Sequence, residues 1–395
     1  MTPNQPTLIK NATLVGHDGL QSLSIDAAGR ISDMQPASEA SDRAQILDPQ
    51  VIDAQGDWVS LGGVDLQING ALGLPFPELE DKHLETLDKI CQYLGDEGVD
   101  GFLPTLVTTS IENIHRALRV IRDYQRQASG EAAQILGVHL EGPFLNAAKR
   151  GAHPEAYLRP LTLSQVDEVL ANYRDLVKVI TLAPELDSTG TVIPYLRSQG
   201  IVVSLGHSLA TAAQARSAYA QGATMVTHAF NAMPGLHHRE PGLLGVALTT
   251  PGVACGLIAD GQHVCPTMLD LLLRAARGGP SQNDTLTHSL FLVSDALSPL
   301  GLPDGRYPWD SREIEVTDGT ARLLNGTLAG TARGLLAGAE NLVAWGLCTV
   351  EEAIALATDA PRQALGLPTL TLGQPASLLR WRHDPAARSL KAQRL

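Results

Sequence analysis

The chain has 395 residues, 44% of them hydrophobic and 18% charged, a balance that excludes a disordered protein and suits one large domain with a smaller one. The formal net charge of -13 argues against nonspecific binding to nucleic acid or to an anionic membrane, because both need clustered Lys and Arg. No apolar stretch approaches the roughly 18 residues of a membrane helix, and the opening MTPNQPTLIK lacks the apolar core of a secretion signal. We therefore expect a soluble, cytoplasmic protein.

The four cysteines are far apart in the sequence and form no C-x-x-C pair. Such spacing favours reduced, buried thiols over a disulfide framework or a structural zinc site. We therefore expect free, buried side chains at Cys91, Cys255, Cys265 and Cys348.

Residues 1–60 consist of short β-rich segments such as TLIKNATLVG and QVIDAQGDWVS, separated by Gly-containing turns and without a helical period. This pattern predicts a small antiparallel β unit. Residues 367–395 regain β character at ASLLRW. We expect them to rejoin the first unit as the second half of a β-sandwich domain.

Between residues 61 and 366, apolar strand-like runs alternate with helical segments such as IENIHRALRVIRDYQRQ and VEEAIALATDAPRQALG. This alternation predicts βαβ units and a parallel sheet. The length suits an α/β fold of the (β/α)8 type, the TIM barrel, inserted between the two halves of the β-sandwich. Within this region EIEVTDGTARLL is predicted to be a hairpin, with Asp318 and Gly319 as its two-residue turn.

Four apolar runs end near a residue that can bind a metal or transfer a proton: Glu141 in QILGVHLEGP, His207 in IVVSLGHS, His228 in TMVTHAFNAMP and Asp295 in SLFLVSDALS. Because the chemistry of a (β/α)8 barrel gathers at the C-terminal ends of its strands, we expect the four residues to meet at one rim. Two His and one Glu are a known ligand set for a catalytic zinc-type site.

Structural roles remain open for these residues on the residue pattern alone. A single His after a strand is more often hydrogen-bonded within the protein than bound to a metal, and an Asp after a strand often caps the next helix.

Several motifs resemble those of the N-acetylglucosamine-6-phosphate deacetylases, a branch of the amidohydrolase superfamily. They are HLEGPFLNAAKRGAHP, GHSLATAAQA, THAFNAMPGLHHREPGLLG, IADGQHV, LVSDALSPLG and GTLAGT, which occur in the family's order between Gly62 and Gly366. The resemblance implies a metal-dependent TIM barrel with a β-sandwich formed by both termini, and a homodimer. It also implies hydrolysis of N-acetyl-D-glucosamine 6-phosphate to D-glucosamine 6-phosphate and acetate, in amino-sugar catabolism or cell-wall recycling.

The resemblance also implies a role for each matching residue. Glu141, His207 and His228 match the metal ligands. Asp295 matches the catalytic acid and base, and His153 the group that polarises the acetamide carbonyl. The residues that match the family's substrate-binding residues are Ala152, His153, Asn231, Ala232, Arg239, His263, Leu328, Ala329 and Gly330. Among them, Asn231, Ala232 and Arg239 match the residues that bind the phosphate.

The first barrel strand departs from the wider superfamily. Most amidohydrolases have H-x-H there, whereas GGVDLQING has Gln67 and Asn69. Strand alternation points both amides into the barrel mouth, and an amide is a poorer ligand than imidazole for a zinc-like ion. We therefore expect one divalent metal per subunit, zinc in the first place and iron, cobalt or manganese as alternatives. Gln67 and Asn69 would then orient the metal-bound water.

Three other functions remain open at this stage. The chain could be an N-acetylgalactosamine-6-phosphate deacetylase, whose substrate differs in the configuration of one hydroxyl. It could be another amidohydrolase, such as a dihydroorotase or an N-acyl amino acid deacylase. The remote alternative is a scaffold that has kept the barrel and lost the chemistry.

Overall fold

The fold is described from a computed structural model, for residues 5–39, 49–127, 132–278 and 289–395. The N-terminal part of the chain contributes five strands to one sheet. They are β1 (Thr7–Leu14), β2 (Gln21–Ile25), β3 (Ile31–Pro36), β4 (Gln50–Asp53) and β5 (Trp58–Leu61).

This N-terminal sheet is mixed, so the prediction of an antiparallel unit is wrong in part. β1 runs antiparallel to β2 but parallel to β4 and β5. β3 is antiparallel to β2 and therefore runs in the same direction as β4. β3, β4 and β5 thus run in one direction, and the antiparallel alternation ends after β3.

A parallel barrel follows, accompanied by one short extra pair of strands, β7 and β8, and by the short strand β10, which pairs with β9. Its neighbours pair in the order β6, β9, β11, β12, β13, β14, β15 and β16, all in parallel. The strands of this region are β6 (Gly63–Ile68), β7 (Gly70–Ala71), β8 (Leu74–Pro75), β9 (Val99–Val107), β10 (Gln134–Ile135), β11 (Val138–Glu141), β12 (Val177–Leu182), β13 (Val202–Leu205), β14 (Met225–Val226), β15 (Ala254–Leu257) and β16 (Leu290–Leu292).

The barrel closes where the segment after β16 meets β6. Ile68 and Ala296 form a parallel bridge, and the Asp295 N–H donates to the Gln67 carbonyl at 2.9 Å. Most of the barrel strands are buried along their whole length, as expected for parallel strands covered by helices. The predicted fold class is confirmed.

Helices cover the outside of the barrel. Several begin at a side-chain cap; Thr349 accepts a hydrogen bond from the Glu352 N–H and the Glu352 side chain accepts one in return, which forms a capping box. The helices are α1 (Leu84–Asp96), α2 (Ile111–Gln125), α3 (Leu163–Leu170), α4 (Val192–Ser198), α5 (Ala212–Ala220), α6 (Gly242–Ala247), α7 (Pro266–Arg277), α8 (Leu335–Ala344), α9 (Val350–Ala357) and α10 (Asp359–Ala364).

The segment VEEAIALATDAPRQALG, predicted to be helical throughout, forms the two helices α9 and α10. Pro361 explains the break, because its ring would clash with the carbonyl of Ala357 in a continuous helix.

An antiparallel sheet of four strands, which we call the mouth sheet, lies between β16 and α8. Its strands are β17 (Gly305–Trp309), β18 (Arg312–Thr317), β19 (Thr320–Leu323) and β20 (Leu328–Thr331). Thr317 pairs with Thr320, which confirms the predicted turn at Asp318 and Gly319. A small apolar core joins this sheet to the barrel loops; its buried members are Ala152, Leu297, Trp309, Ile314, Val316 and Ala321.

The C-terminal strands are β21 (Leu378–Asp384) and β22 (Ser389–Arg394). β21 pairs with β5, so ASLLRW does rejoin the N-terminal sheet. The buried Trp381 indole donates to Ser60 Oγ at 2.9 Å and so ties the two ends of the chain together. The domain limits 1–60, 61–366 and 367–395 stay a prediction.

All four cysteines are free. Cys91 and Cys255 are buried and Cys348 is partly buried, but the prediction of a buried Cys265 is wrong. Cys265 stands just before α7 and is exposed there. Within the described ranges, we find no helix with the length and apolar character needed to span a membrane.

Candidate metal centre and substrate cavity

The three predicted metal ligands meet at one rim of the barrel. Glu141 ends β11, and His207 and His228 follow β13 and β14. The Nε2 atoms of His207 and His228 lie 3.0 Å apart. Their distances to Glu141 Oε1 are 3.1 Å and 3.0 Å. Tetrahedral zinc with bonds of about 2.0 to 2.1 Å holds its ligand atoms about 3.3 Å apart. The triangle is thus close to the size that one such ion requires.

The second ring nitrogens of the two histidines differ in their hydrogen bonding. His207 Nδ1 donates to the Lys149 carbonyl at 2.9 Å, so Nε2 carries the lone pair when the ring is neutral and can donate to Glu141 only when the ring is protonated. His228 Nδ1 is buried and has no hydrogen-bond partner within the part of the chain that the structure describes. Two facing Nε2 atoms and a carboxylate oxygen, all buried, repel one another unless a proton or a cation lies between them.

The charge of the cluster also suits a cation. Burial acts to raise the pKa of Glu141, but hydrogen bonds from His207 and His228 hold it well below its usual range. The carboxylate is therefore ionised in a place where an uncompensated charge is costly. Two imidazoles and one carboxylate are a donor set for a divalent metal, and these residues fit it.

Backbone strain marks the same rim. His207, His228 and Asp295 have positive φ angles of 48°, 27° and 47°. Residues other than glycine adopt this conformation rarely, and at a cost of about 1 to 3 kcal/mol each. Such strained residues cluster at functional sites, where the surrounding structure holds them in place.

Asp295 lies beside the ligand cluster and is held by the two amides of the first barrel strand. Its Oδ1 accepts hydrogen bonds from Asn69 Nδ2 at 2.8 Å and from Gln67 Nε2 at 3.2 Å. Gln67 Nε2 is also 3.2 Å from Glu141 Oε1. Burial, and then the charge of Glu141, raise the pKa of Asp295 to about 6. Both amides point into the barrel mouth, while their role in orienting water stays a prediction.

His153 is buried next to His207, with its Nε2 4.0 Å from Glu141 Oε1. The Thr108 N–H donates to His153 Nδ1 at 3.3 Å, so Nδ1 carries the lone pair and Nε2 the proton. Burial and the neighbouring His207 lower the pKa of His153 to about 3. His153 is thus a neutral donor whose N–H lies close to the metal ligands.

These groups open onto a cavity of about 660 Å³. Predicted site residues that line it are Asn69, Glu141, Ala152, His153, His207, His228, Asn231, Ala232, His263, Asp295, Leu328 and Ala329. Gly330 does not line the cavity, and a Cβ added to it would come within 2.8 Å of the Asp295 carbonyl oxygen. Arg239 is not part of the lining; it is exposed, with Nη1 2.8 Å from His238 Nε2.

His263 is oriented by a residue that the sequence analysis did not identify. Asp260 Oδ2 accepts from His263 Nδ1 at 2.7 Å, and Asp260 Oδ1 accepts the backbone N–H groups of Gln262 and His263. Burial acts to raise the pKa of Asp260, but the hydrogen bond from His263 outweighs it and lowers this pKa below its usual value. The D-G-x-H spacing was the available signal, since it places a carboxylate three residues before the histidine.

The turn between β17 and β18 also lines the cavity and was not predicted. Trp309, Asp310, Ser311 and Arg312 all face it. The Asp-Ser pair between β-rich residues signals a hairpin turn, but nothing in the local pattern indicates that the turn reaches the barrel mouth.

Comparison with known proteins gives the following matches. No protein-family model matches the chain. The chain is 39% identical to the N-acetylglucosamine-6-phosphate deacetylase of Mus musculus over 348 residues, which cover 86% of this chain and 81% of the relative. It is 36% identical to the N-acetylgalactosamine-6-phosphate deacetylase of Escherichia coli O157:H7 over 320 residues, which cover 80% and 81%. The crystal structure of N-acetylglucosamine-6-phosphate deacetylase from Pasteurella multocida superposes with a TM-score of 0.82 at 29% identity, over 98% of this chain and 97% of that one.

Proposed function

The chain belongs to the N-acetylglucosamine-6-phosphate deacetylase family, and we propose that it hydrolyses the acetamide of N-acetyl-D-glucosamine 6-phosphate to D-glucosamine 6-phosphate and acetate. As a member of this family it is a hydrolase of the amidohydrolase type. The observation that carries the proposal is the meeting of a metal-type triad, an acid-base carboxylate and a neutral N–H donor in one cavity. Amino-sugar catabolism or cell-wall recycling, in the cytoplasm, is the proposed context.

Glu141, His207 and His228 would hold one divalent metal per subunit. We propose zinc, with iron, cobalt or manganese as alternatives, because two imidazoles and one carboxylate suit all four ions. When bound, such an ion polarises the amide carbonyl and lowers the pKa of water toward 7.

Asp295 is the proposed acid and base. It accepts a proton from the water that attacks the acetyl carbonyl carbon, and it gives this proton to the amine nitrogen as the C–N bond breaks. Burial and the charge of Glu141 raise the pKa of Asp295 toward neutral pH, which favours a group that both accepts and donates a proton. Gln67 and Asn69 keep the carboxylate oriented through their hydrogen bonds to Oδ1.

His153 is the proposed oxyanion donor. Its Nε2–H is fixed by the Thr108 N–H on the other ring nitrogen, so the donor needs no rearrangement when negative charge develops on the carbonyl oxygen. One preorganised donor of this kind contributes about 3 to 4 kcal/mol to the stability of a transition state.

The sugar and its phosphate would occupy the remainder of the cavity. His263, Ala152 and the backbone from Leu328 to Gly330 are proposed for the sugar, and Asn231 with the Ala232 backbone for the phosphate. Arg239 suits a phosphate by its planar, permanently charged fork. Because it does not line the cavity of its own subunit, we propose that it acts across the interface of a homodimer.

A galactosamine substrate is the second candidate, favoured by the 36% identity to an N-acetylgalactosamine-6-phosphate deacetylase. The first test is acetate release from both 6-phosphates and from unphosphorylated N-acetylglucosamine, before and after chelation. We expect fast, chelator-sensitive release from N-acetylglucosamine 6-phosphate. Faster release from the galactosamine isomer would transfer the assignment to the second candidate, and no release from protein shown to contain metal would refute both.

Asp295→Asn tests the acid-base role within the same assay. We expect metal content to stay the same while kcat falls about 10²- to 10⁴-fold, the usual range for a lost acid-base group. Asp270→Asn is the matched control, because Asp270 pairs with Arg274 on the exposed side of α7. Near-normal turnover of the Asp295 variant would remove this residue from its role.

A further inference from the structure

The turn at the tip of the mouth sheet carries an arginine that is held in one position. Arg312 pairs with Trp309 across the turn of Asp310 and Ser311. Its guanidinium lies 4.7 Å from the centre of the Trp309 ring, and its Nε and Nη2 donate to the Asp310 carboxylate at 3.0 Å and 2.5 Å. Stacking and a two-pronged ion pair thus fix the plane of the guanidinium.

The same guanidinium reaches across the cavity wall to the barrel. Arg312 Nη2 donates to the Ala152 carbonyl at 2.8 Å, a hydrogen bond between residues 160 positions apart in the sequence. Ala152 is nearly buried, at 9% exposure, and packs in the apolar core that includes Trp309. The contact therefore ties the mouth sheet to the segment that bears His153.

The segment that bears His153, residues 149–153, is also tied to the barrel at its start, where His207 Nδ1 donates to the Lys149 carbonyl and Lys149 Nζ donates to the Met233 carbonyl. The His153 N–H donates to the Arg150 carbonyl, and Arg150 Nη1 donates back to the carbonyls of Gly151 and His153, so these bonds stay within the segment. Thr108 holds the His153 ring from the barrel side. Arg312 is the corresponding tie on the side of the mouth sheet, and it acts on the backbone directly before His153.

We propose that Arg312 is a positioning residue, which holds the Ala152 carbonyl so that the Nε2–H of His153 stays in place for the developing oxyanion. This inference rests on the proposed function and extends it to a residue outside the matched motifs. Asp310 neutralises the Arg312 charge and takes up two of its donors, which speaks against a primary role in binding the substrate phosphate.

The kinetic consequence follows from where His153 acts. An oxyanion donor strengthens its bond in the transition state, so its displacement lowers kcat more than it raises KM. A displacement of about 1 Å can cost about 10²-fold in rate. For Arg312→Met, which keeps an apolar stem near Trp309 but removes the donors, we expect kcat to fall about 10- to 100-fold with KM changed less than about threefold.

A double-mutant cycle with His153→Ala separates positioning from a general structural effect. If Arg312 acts through His153, Arg312→Met lowers kcat in the wild-type background and has almost no further effect once His153 is gone. Arg312→Lys, which keeps one charged donor, should retain more kcat than Arg312→Met. Arg306→Met is the control, because Arg306 forms an exposed ion pair with Glu315 on the same sheet and does not line the cavity.

Two kinetic results would overturn the proposal: an equal loss of kcat in both backgrounds, or a rise in KM with unchanged kcat. A measurement without substrate keeps the test independent of the proposed function. In ¹⁵N-histidine NMR of the metal-loaded protein, assigned with His153→Gln, Arg312→Met should shift or broaden the His153 ring signals, while Arg306→Met should not. Unchanged His153 signals would also overturn the proposal, whereas absent turnover in the wild type would count against the proposed function alone.

Discussion

Asp65 is a buried carboxyl inside the barrel, at 1% exposure on β6. Its Oδ1 accepts the backbone N–H groups of Gln67 at 3.3 Å and Ser294 at 3.2 Å, so it joins the two segments where the barrel closes. Burial is the main cause that raises the pKa of Asp65 from its ordinary 3.8 to about 7, and Asp295 adds to it. Below about pH 7 the carboxyl is therefore protonated in the folded protein.

The substitution Asp65→Asn turns this into a stability prediction. Asparagine keeps the accepting oxygen and places an NH2 where the protonated oxygen stands, so it imitates the neutral carboxyl at every pH. Because the folded-state pKa is raised, the stabilising contribution of Asp65 is fully present below pH 4 and is lost as the pH rises through 7. The pKa of Asp65 is raised from 3.8 to about 7, a difference of about three pKa units. At about 1.4 kcal/mol per unit, the free energy of unfolding changes by about 4 kcal/mol.

We expect Asp65→Asn to match the wild type in free energy of unfolding near pH 4 and to exceed it by up to about 4 kcal/mol at pH 8. Urea unfolding of chelator-treated protein between pH 4 and 8 measures this, since chelation removes the separate pH dependence of metal binding. Titrating groups other than the neighbouring Asp295 cancel in the difference, and Asp270→Asn on the surface should show no trend with pH. A difference between variant and wild type that is constant from pH 4 to pH 8 would refute the reasoning.

Further predictions concern the site. Glu141→Gln should lose bound metal in elemental analysis, because a neutral amide is a poor ligand, while its circular dichroism stays that of the wild type; full metal content would contradict the assigned triad. Asp260→Asn should raise KM about three- to tenfold with little change in kcat, because His263 loses the acceptor that orients it; an unchanged KM would exclude that role. Arg239→Met should raise KM for the phosphorylated sugar about 10- to 100-fold, the range of one lost charge-assisted hydrogen bond, and leave weak hydrolysis of the unphosphorylated sugar unaffected. The value of kcat/KM should fall on the acid side of its pH profile with an apparent pKa no higher than about 6. Asp295 must be ionised to act as a base, and a bound cation lowers its pKa further. A fall in kcat/KM that begins above pH 7 would contradict the assignment.

Much of the candidate site could be predicted from local sequence. Glu141, His207, His228 and Asp295 each end an apolar run, and the parallel barrel brings such positions together whatever their separation in the chain. Their individual roles came from the resemblance of whole motifs, because one histidine after a strand has no specific meaning by itself.

The errors of the sequence analysis have a common physical origin. The parallel direction of β4 and β5 against β1 is set by tertiary pairing, which leaves no trace in the residue pattern of the strands themselves. The exposure of Cys265 likewise depends on what packs over the start of α7.

The sequence by itself determined the α/β class, the alternation of strands and helices, and the residues at the strand ends, because burial periodicity and turn chemistry are local properties of the chain. The tertiary structure alone decided the 3.0 Å spacing of His207 and His228, the tautomer of His153 and the contact from Arg312 to Ala152. These features join residues that are between 21 and 160 positions apart. Such distances are set by the packing of whole elements, which no local pattern records.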